Sequence, residues 1–338
     1  MVSCCMIPSI SDMNLNLCLR MARKDFFNNI DSVIDDWKNT SFTFNSKNCV
    51  PGLDDKNLTY GNGDEKKGVE INTCVLFVDI RNSVQLTKDK QVRTMGKIYS
   101  VFTHCVLLAA QYEGGFVRNI IGDRVMVVFP PEDCFKKAVF CAITINHIAS
   151  LINKKFDNFK FRCGIGVDYG KLSVMKVGLQ KKGAENDDNK GLVWVGYLAN
   201  FASRLTDCAN KEFTDTYYKV DGEFYEMNYY DSLFFGRQSG WYRNTKEYTA
   251  EELAASISCS QYGNGIRLAS CNSVYSIEKV EKKYTYKAIL LSDQVYQGYA
   301  KTASDAKDII NSWWTKQLRK IRDIDFDVWG AGLIWSWD

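Results

Sequence analysis

With 338 residues and 46% hydrophobic content the chain can bury one large core or two ordinary ones. Its formal net charge of +3 is too near neutrality to argue for wholesale binding to nucleic acid or an anionic membrane. Uninterrupted apolar segments fall short of the roughly 18 residues that cross a bilayer.

The N-terminus, MVSCCMIPSISDMN, carries no basic stretch ahead of an apolar core, which argues against a secretory signal. Twelve cysteines without a CxxC pair read as reduced core thiols of a cytoplasmic protein. Only His104 and His147 are present, so a zinc site or a His-based triad is not expected.

Residues 13 to 38 place Phe26, Ile30, Val33, Ile34 and Trp37 at helical spacing, an amphipathic helix whose apolar face needs a partner. Residues 39 to 68, rich in Asn, Ser, Asp, Gly and Lys, read as a polar linker, so 1–68 is expected to stand outside the main domain. A compact pattern follows. Val75 to Ile80 reads as a strand, Asp89 to Gln111 as a helix ended by Gly114-Gly115, and 116 to 129 as a hairpin turning at Gly122-Asp123. Asp133 to Lys154 reads as a second helix with Ala138, Cys141, Ala142 and Ile145 inward. Phe161 to Val167 and Leu172 to Val177 read as two strands around Asp168-Tyr169-Gly170, and Leu179 to Gly191 as a charged loop. Val193 to Val195 is a short strand and Tyr197 to Ala209 a helix rich in small residues.

The order β-α-β-β-α-β predicts an α+β fold, a ferredoxin-like antiparallel sheet with helices on one face. Beyond Asn210 the pattern weakens. One or two strands are expected over 284 to 299 and a helix over Ser304 to Ile321, giving a catalytic domain at 69–280 and a small α/β C-terminal region of sensor or regulatory type at 281–338.

Asp79 ends an apolar strand and Asp123 turns a hairpin. Taken singly, the first could merely cap the next segment and the second merely make a turn. If the two segments are neighbours, the carboxylates meet at one sheet edge and repel unless a cation lies between them, and hard oxygen ligands favour Mg²⁺ or Mn²⁺. Two such ions can clamp a triphosphate and lower the pKa of an attacking hydroxyl. Asn200 and Arg204, four apart on one helix, share a face, and an arginine there can give a phosphoryl group a bidentate contact.

VLFVDIRNS resembles the first metal strand of the class III nucleotidyl cyclases, IIGDRVMVVF their second metal hairpin, and GYLANFASRL their Gly-x-x-x-Asn-x-x-x-Arg helix. RCGIGVDYGKLSV is similar to the strand and turn these enzymes place between the last two motifs, so the resemblance spans roughly residues 73 to 209. It implies two Mg²⁺ or Mn²⁺ held by Asp79, Asp123 and the Ile80 carbonyl. It also implies a homodimer with shared active sites, in which Asn200 and Arg204 act on the ribose and α-phosphate held by the partner subunit. The implied reaction turns a nucleoside triphosphate into a 3′,5′-cyclic nucleotide and pyrophosphate. The family's pyrophosphate lysine has no clear counterpart.

At the positions where adenylate and guanylate cyclases of that family read their purine, this chain has Asn119 and Val193, with bulky Trp194 next door. Loss of both purine readers suits a smaller base and resembles the pyrimidine cyclases of bacterial Pycsar antiphage systems, whose cyclic CMP or cyclic UMP activates a separate effector. The resemblance favours CTP, with UTP, an adenylate cyclase, or a non-catalytic nucleotide-binding module as alternatives. Neither nucleic-acid binding nor membrane attachment is expected.

Overall fold

The computed structural model describes residues 10–61, 65–83, 92–156, 160–181, 184–227, 239–259, 266–317, 319–321 and 323–337. The chain divides into two compact units, 1–209 with 287–338, and 210–286.

The first unit opens with helix α1 (Ile10–Asn39) and strand β1 (Phe42–Ser46). It continues through β2 (Lys66–Ile80), α2 (Val92–Tyr112), β3 (Phe116–Ile121), β4 (Arg124–Val128), α3 (Cys134–Lys155), β5 (Cys163–Lys181), β6 (Ala184–Val195) and α4 (Tyr197–Cys208). The expected β-α-β-β-α-β unit is present, with the strand order β5-β2-β4-β3 and every neighbouring pair antiparallel. β1 pairs in parallel with the start of β2, and β6 pairs with β5.

The alternation of the strands decides the layers. Cys74, Leu76, Val78 and Ile80 of β2 face one core with Ile98, Phe102 and Val106 of α2 and with Ala138, Cys141, Ala142 and Ile145 of α3. Val69, Ile71 and Val75 face the other, against Leu198, Ala199 and Ala202 of α4. Helices therefore cover both faces, not one as the pattern suggested, because α4 brings its own small apolar stripe. α3 is the one described helix long and apolar enough to span a bilayer, and its Ala138, Cys141, Ala142 and Ile145 are fully buried in this core.

Three local expectations are corrected. Asp168-Tyr169-Gly170 does not break β5: Asp168 pairs with Val75 and Gly170 with Thr73, so the ladder to β2 overrides local turn propensity. The charged segment Leu179 to Gly191 is largely strand, since β5 runs to Lys181 and β6 begins at Ala184. In place of a helix over Ser304 to Ile321, the described residues there hold the single turn α7 (Lys307–Ile310) and then a two-residue strand, after β12 (Ile289–Ser292) and α6 (Asp293–Thr302). There the buried Asp308 carboxylate accepts from Tyr299 Oη at 3.0 Å and Trp314 Nε1 at 2.7 Å. Reaching both donors bends the chain, and Ser312 takes a left-handed φ of 53°.

Both expected domain boundaries move. The 1–68 segment, expected outside the main domain, falls in the first unit, where β1 pairs with β2 and Leu58 is buried in the core, and the boundary at 280/281 shifts as well. β12 pairs in parallel with β5, and β14 (Val328–Ala331) pairs with β12 and with β13 (Thr315–Lys316), so residues 287–338 complete the main sheet. The segment set apart is 210–286. It contains β7 (Glu212–Glu226), β8 (Gly240–Thr249), α5 (Ala250–Ser256), β9 (Ile257–Cys259), β10 (Ile266–Leu268) and β11 (Cys271–Thr285). Its sheet runs β11-β7-β8 over a small core of Val220, Phe224 and Leu268. Its two ends meet, with the Tyr286 N–H donating to the Lys211 carbonyl at 3.3 Å.

α4 lies on β5 at unusually close range. A Cβ at Gly166 would sit 2.4 Å from both the Ala202 carbonyl oxygen and the Thr206 nitrogen, backbone atoms that cannot turn aside. Thr206 Oγ1 lies 3.0 Å from the Phe77 carbonyl oxygen and ties the helix to β2. Apolar Phe26, Ile30 and Ile34 of α1 are exposed, while Trp37 at its end stacks on Phe42.

Two outcomes follow from this packing. Gly166→Val should destabilise the protein by about 2–3 kcal/mol, the cost of overpacking, read as a lower urea midpoint; an unchanged midpoint would mean that α4 does not sit on β5 as described. Replacing residues 212–285 with a short Gly/Ser linker should leave a cooperative unfolding transition, because the ends of the segment are adjacent; a chain without one would show that 210–286 is needed for the first unit to fold.

Candidate active site at the sheet edge

Asp79 leaves the end of β2 on the side facing α4, as Val75 and Phe77 do, and Asp123 occupies the β3–β4 turn beside Gly122, whose φ is 61°. The two carboxyl groups lie within hydrogen-bonding reach of each other. Burial first, and then the Asp79 charge, push the Asp123 carboxyl above the usual carboxylate range, opposed by hydrogen bonds from its own N–H and from Ser83. Asp123 Oδ2 is buried without a donor. Ile80 has its side chain in the core at 3% exposure, which leaves its main chain as the only group it could offer.

These features suit a divalent cation: two hard carboxylates in contact, and one buried oxygen with nothing to accept. Among the described residues there is no group of three or more His, Cys, Asp or Glu side chains placed to hold a metal. An ion here would draw its remaining ligands from water and phosphate oxygens.

Two guanidinium groups that the sequence reading passed over surround Asp79. Arg124 Nη2 donates to Asp79 Oδ2 at 3.0 Å and also to Asp207 Oδ1, and Arg124 Nη1 donates to Ser203 Oγ at 2.8 Å. Burial works against the Arg124 charge, but the Asp207 and Asp79 carboxylates outweigh it and raise its pKa. Arg81 donates from Nη2 to the Thr206 carbonyl, and its Nη1 lies 3.9 Å from Asp79 Oδ2. Burial pulls the Arg81 pKa down despite the Asp79 charge. Both arginines were visible in sequence close to a candidate carboxylate, Arg81 two residues after Asp79 and Arg124 directly after Asp123.

α4 presents two neighbouring stripes, centred about 60° apart around its axis. Ser203 and Asp207 meet Arg124 on the chain's own carboxylate site, whereas Asn200 and Arg204 are exposed. Arg204 Nη1 lies 3.2 Å from the Asp323 carbonyl oxygen and 3.4 Å from its carboxylate. Phe326, from the same stretch, packs edge-on against Phe201.

The three expected base readers do not share one environment. A bulge between Val117 and Asn119 sets Asn119, not Arg118, opposite Met126 and so on the α4 side of the sheet. Asn119 and Arg118 line a hollow of about 400 Å³ with Leu53, Val117, Gly191 and Leu192. Val193 is 38% exposed, while Trp194, on the opposite face of β6, packs into the core beneath α4 with its Nε1 buried and without a partner.

No protein-family model matches the chain. A protein of Burkholderia cepacia named uridylate cyclase is 32% identical over 168 residues, which is 48% of this chain and 69% of that protein. A second so named, from Gulbenkiania mobilis, is 28% identical over 222 residues, 62% of this chain and 81% of its own. The solved adenylyl cyclase CyaB from P. aeruginosa aligns over 78% of this chain and 94% of its own, at 12% identity and a TM-score of 0.43. Another uridylate cyclase, from Xanthomonas perforans, is 30% identical over 52% of this chain and 71% of its own length. With the two metal-strand motifs and the Asn/Arg helix in order on a ferredoxin-like sheet, the chain belongs to the class III nucleotidyl cyclases and is related to the Pycsar cyclases.

Proposed function

We propose that the protein cyclises a pyrimidine nucleoside triphosphate, UTP in preference to CTP, to the 3′,5′-cyclic nucleotide and pyrophosphate. The observation that carries this reading is the contact between the Asp79 and Asp123 carboxyl groups beside α4. The three relatives matched by sequence are named uridylate cyclases, which moves the preference from the CTP that the sequence favoured to UTP. Asn119 offers a donor and an acceptor and can serve either base.

The roles follow from position and chemistry. Asp79 and Asp123, with the Ile80 carbonyl, would hold two Mg²⁺ or Mn²⁺. When bound, such ions polarise the α-phosphate, acidify the ribose 3′-hydroxyl and neutralise pyrophosphate. Asn200 orients the ribose and Arg204 stabilises charge developing on the α-phosphate. Both are exposed and neither is among the groups that bond to Arg124, which supports a homodimer in which each copy completes the other's site. Apolar Val177, Leu179, Val193 and Val195 of the β5–β6 ribbon and Tyr197 at the start of α4 are exposed and suit such an interface. Asn119 faces the same side of the sheet and reads the base, with Val193 and Trp194 shaping β6 beside it. A diffusible cyclic pyrimidine nucleotide would act on a separate effector, as in the antiphage systems that this chain resembles. Among the described cysteine side chains there is no disulfide, which suits a cytoplasmic setting.

Purified protein with Mn²⁺ and each of the four triphosphates in turn should give cyclic UMP as the main product. Cyclic CMP would restore the first preference, and product from ATP alone would overturn the pyrimidine reading. Asp79→Ala and Arg204→Ala should each lower turnover by about 10²-fold or more. Mixed and re-equilibrated, the two inactive variants should recover up to about a quarter of wild-type activity, since half the dimers then hold one intact site. No recovery would mean that the two residues act within one chain.

A further inference from the structure

The site contains a cation to which the proposed chemistry gives no task. Arg124 Nη2 is shared between Asp79 Oδ2, at 3.0 Å, and Asp207 Oδ1, while its Nη1 is held at 2.8 Å by Ser203 Oγ. A divalent ion ligated by Asp79 competes with this guanidinium for Oδ2 and is repelled by its charge. Arg81 is also near, but it is fixed under α4 by its bond to the Thr206 carbonyl and its side chain is only 10% exposed. Arg124 is more open, at 28%, and has somewhere else to go, because Asp207 is 53% exposed and already touches it.

We propose that Arg124 is a positioning residue that stands in for divalent charge at Asp79 in the metal-free site and passes to Asp207 and Ser203 when an ion takes Asp79. The proposal rests on Asp79 and Asp123 being metal ligands. The physical reason is competition: a charge-assisted hydrogen bond must be given up before the ion binds, so Arg124 lowers ion affinity. Asp207 opposes this by offering the displaced guanidinium a second carboxylate without a large swing. Ion occupancy at Asp79 thereby breaks the link through Arg124 between β2 and the Ser203–Asp207 stripe of α4, one step around the helix from Asn200 and Arg204.

The test is Mn²⁺ binding to the full chain without nucleotide, followed by the electron paramagnetic resonance signal of free Mn²⁺. Arg124→Gln should bind Mn²⁺ about tenfold more tightly than wild type, and Asp207→Asn about threefold more weakly. In the Arg124→Gln background, Asp207→Asn should have no further effect, since Asp207 acts by retaining Arg124. Unchanged affinity in Arg124→Gln, or additive effects in the double variant, would overturn the proposal; additivity would reduce the pair to independent point charges. Asp123→Asn separates the two levels. If Mn²⁺ binding does not weaken in that variant, the metal reading itself fails and takes the hand-over with it. If it weakens while Arg124→Gln changes nothing, only the hand-over falls. Should Arg124→Gln not fold, Arg124→Met keeps an unbranched uncharged side chain and is read in the same way.

Discussion

Two carboxyl groups in contact at the edge of an apolar sheet are the constraint on which the rest of the site depends. Neither can leave: Asp79 is placed by the strand phase that buries Val78 and Ile80 in the core of α2 and α3, and Asp123 by a turn whose Gly122 takes a left-handed φ. Their repulsion is offset inside the chain by Arg124 and Arg81, while burial first, and then the Asp79 charge, hold the Asp123 pKa above the usual carboxylate range. A site of this kind is held ready for positive charge, and its unsatisfied oxygen lies on the carboxyl most affected.

The second element, α4, is positioned with little tolerance. Gly166 removes the side chain that would separate helix from strand, Ala199 and Ala202 keep the helix face thin, and Thr206 bonds to the carbonyl of Phe77 two residues before Asp79. This close approach brings Ser203 and Asp207 to Arg124, and it leaves Asn200 and Arg204 on the adjoining, open stripe. One helix thus serves two sides. Its inner stripe trims the electrostatics of its own chain's carboxylates, while its outer stripe is exposed, with Arg204 paired to Asp323.

Much of this was legible in the sequence, for identifiable reasons. The β-α-β-β-α-β order shows because each element has a clean period, and Asp79, Asp123, Asn200 and Arg204 stand at the ends or on the faces of those periodic segments. Features set by distant pairing were not legible. Asp168-Tyr169-Gly170 has turn composition but is held straight by β2, about a hundred residues earlier in the chain. The three apolar residues of β12, Ile289 to Leu291, give no sign that they will pair with β5, so 287–338 read as an appendage although it completes the main sheet. Arg124 could be seen to follow Asp123, but its partners Ser203 and Asp207 lie 79 and 83 residues away. Trp194 next to Val193 looked like part of one base pocket, and strand alternation sends its ring into the core instead.

The central claim is that Asp79 and Asp123 hold divalent ions facing Arg204 of a second copy of the chain. Crystals grown with Mn²⁺ and a non-cyclisable UTP analogue, with anomalous scattering collected at the manganese edge, test it most directly. The account predicts manganese peaks within about 2.2 Å of oxygens of both Asp79 and Asp123, with the Arg204 guanidinium of the other copy on the analogue's α-phosphate. Manganese away from these carboxylates, or a bound analogue whose α-phosphate is approached by Arg204 of the same chain, would contradict it.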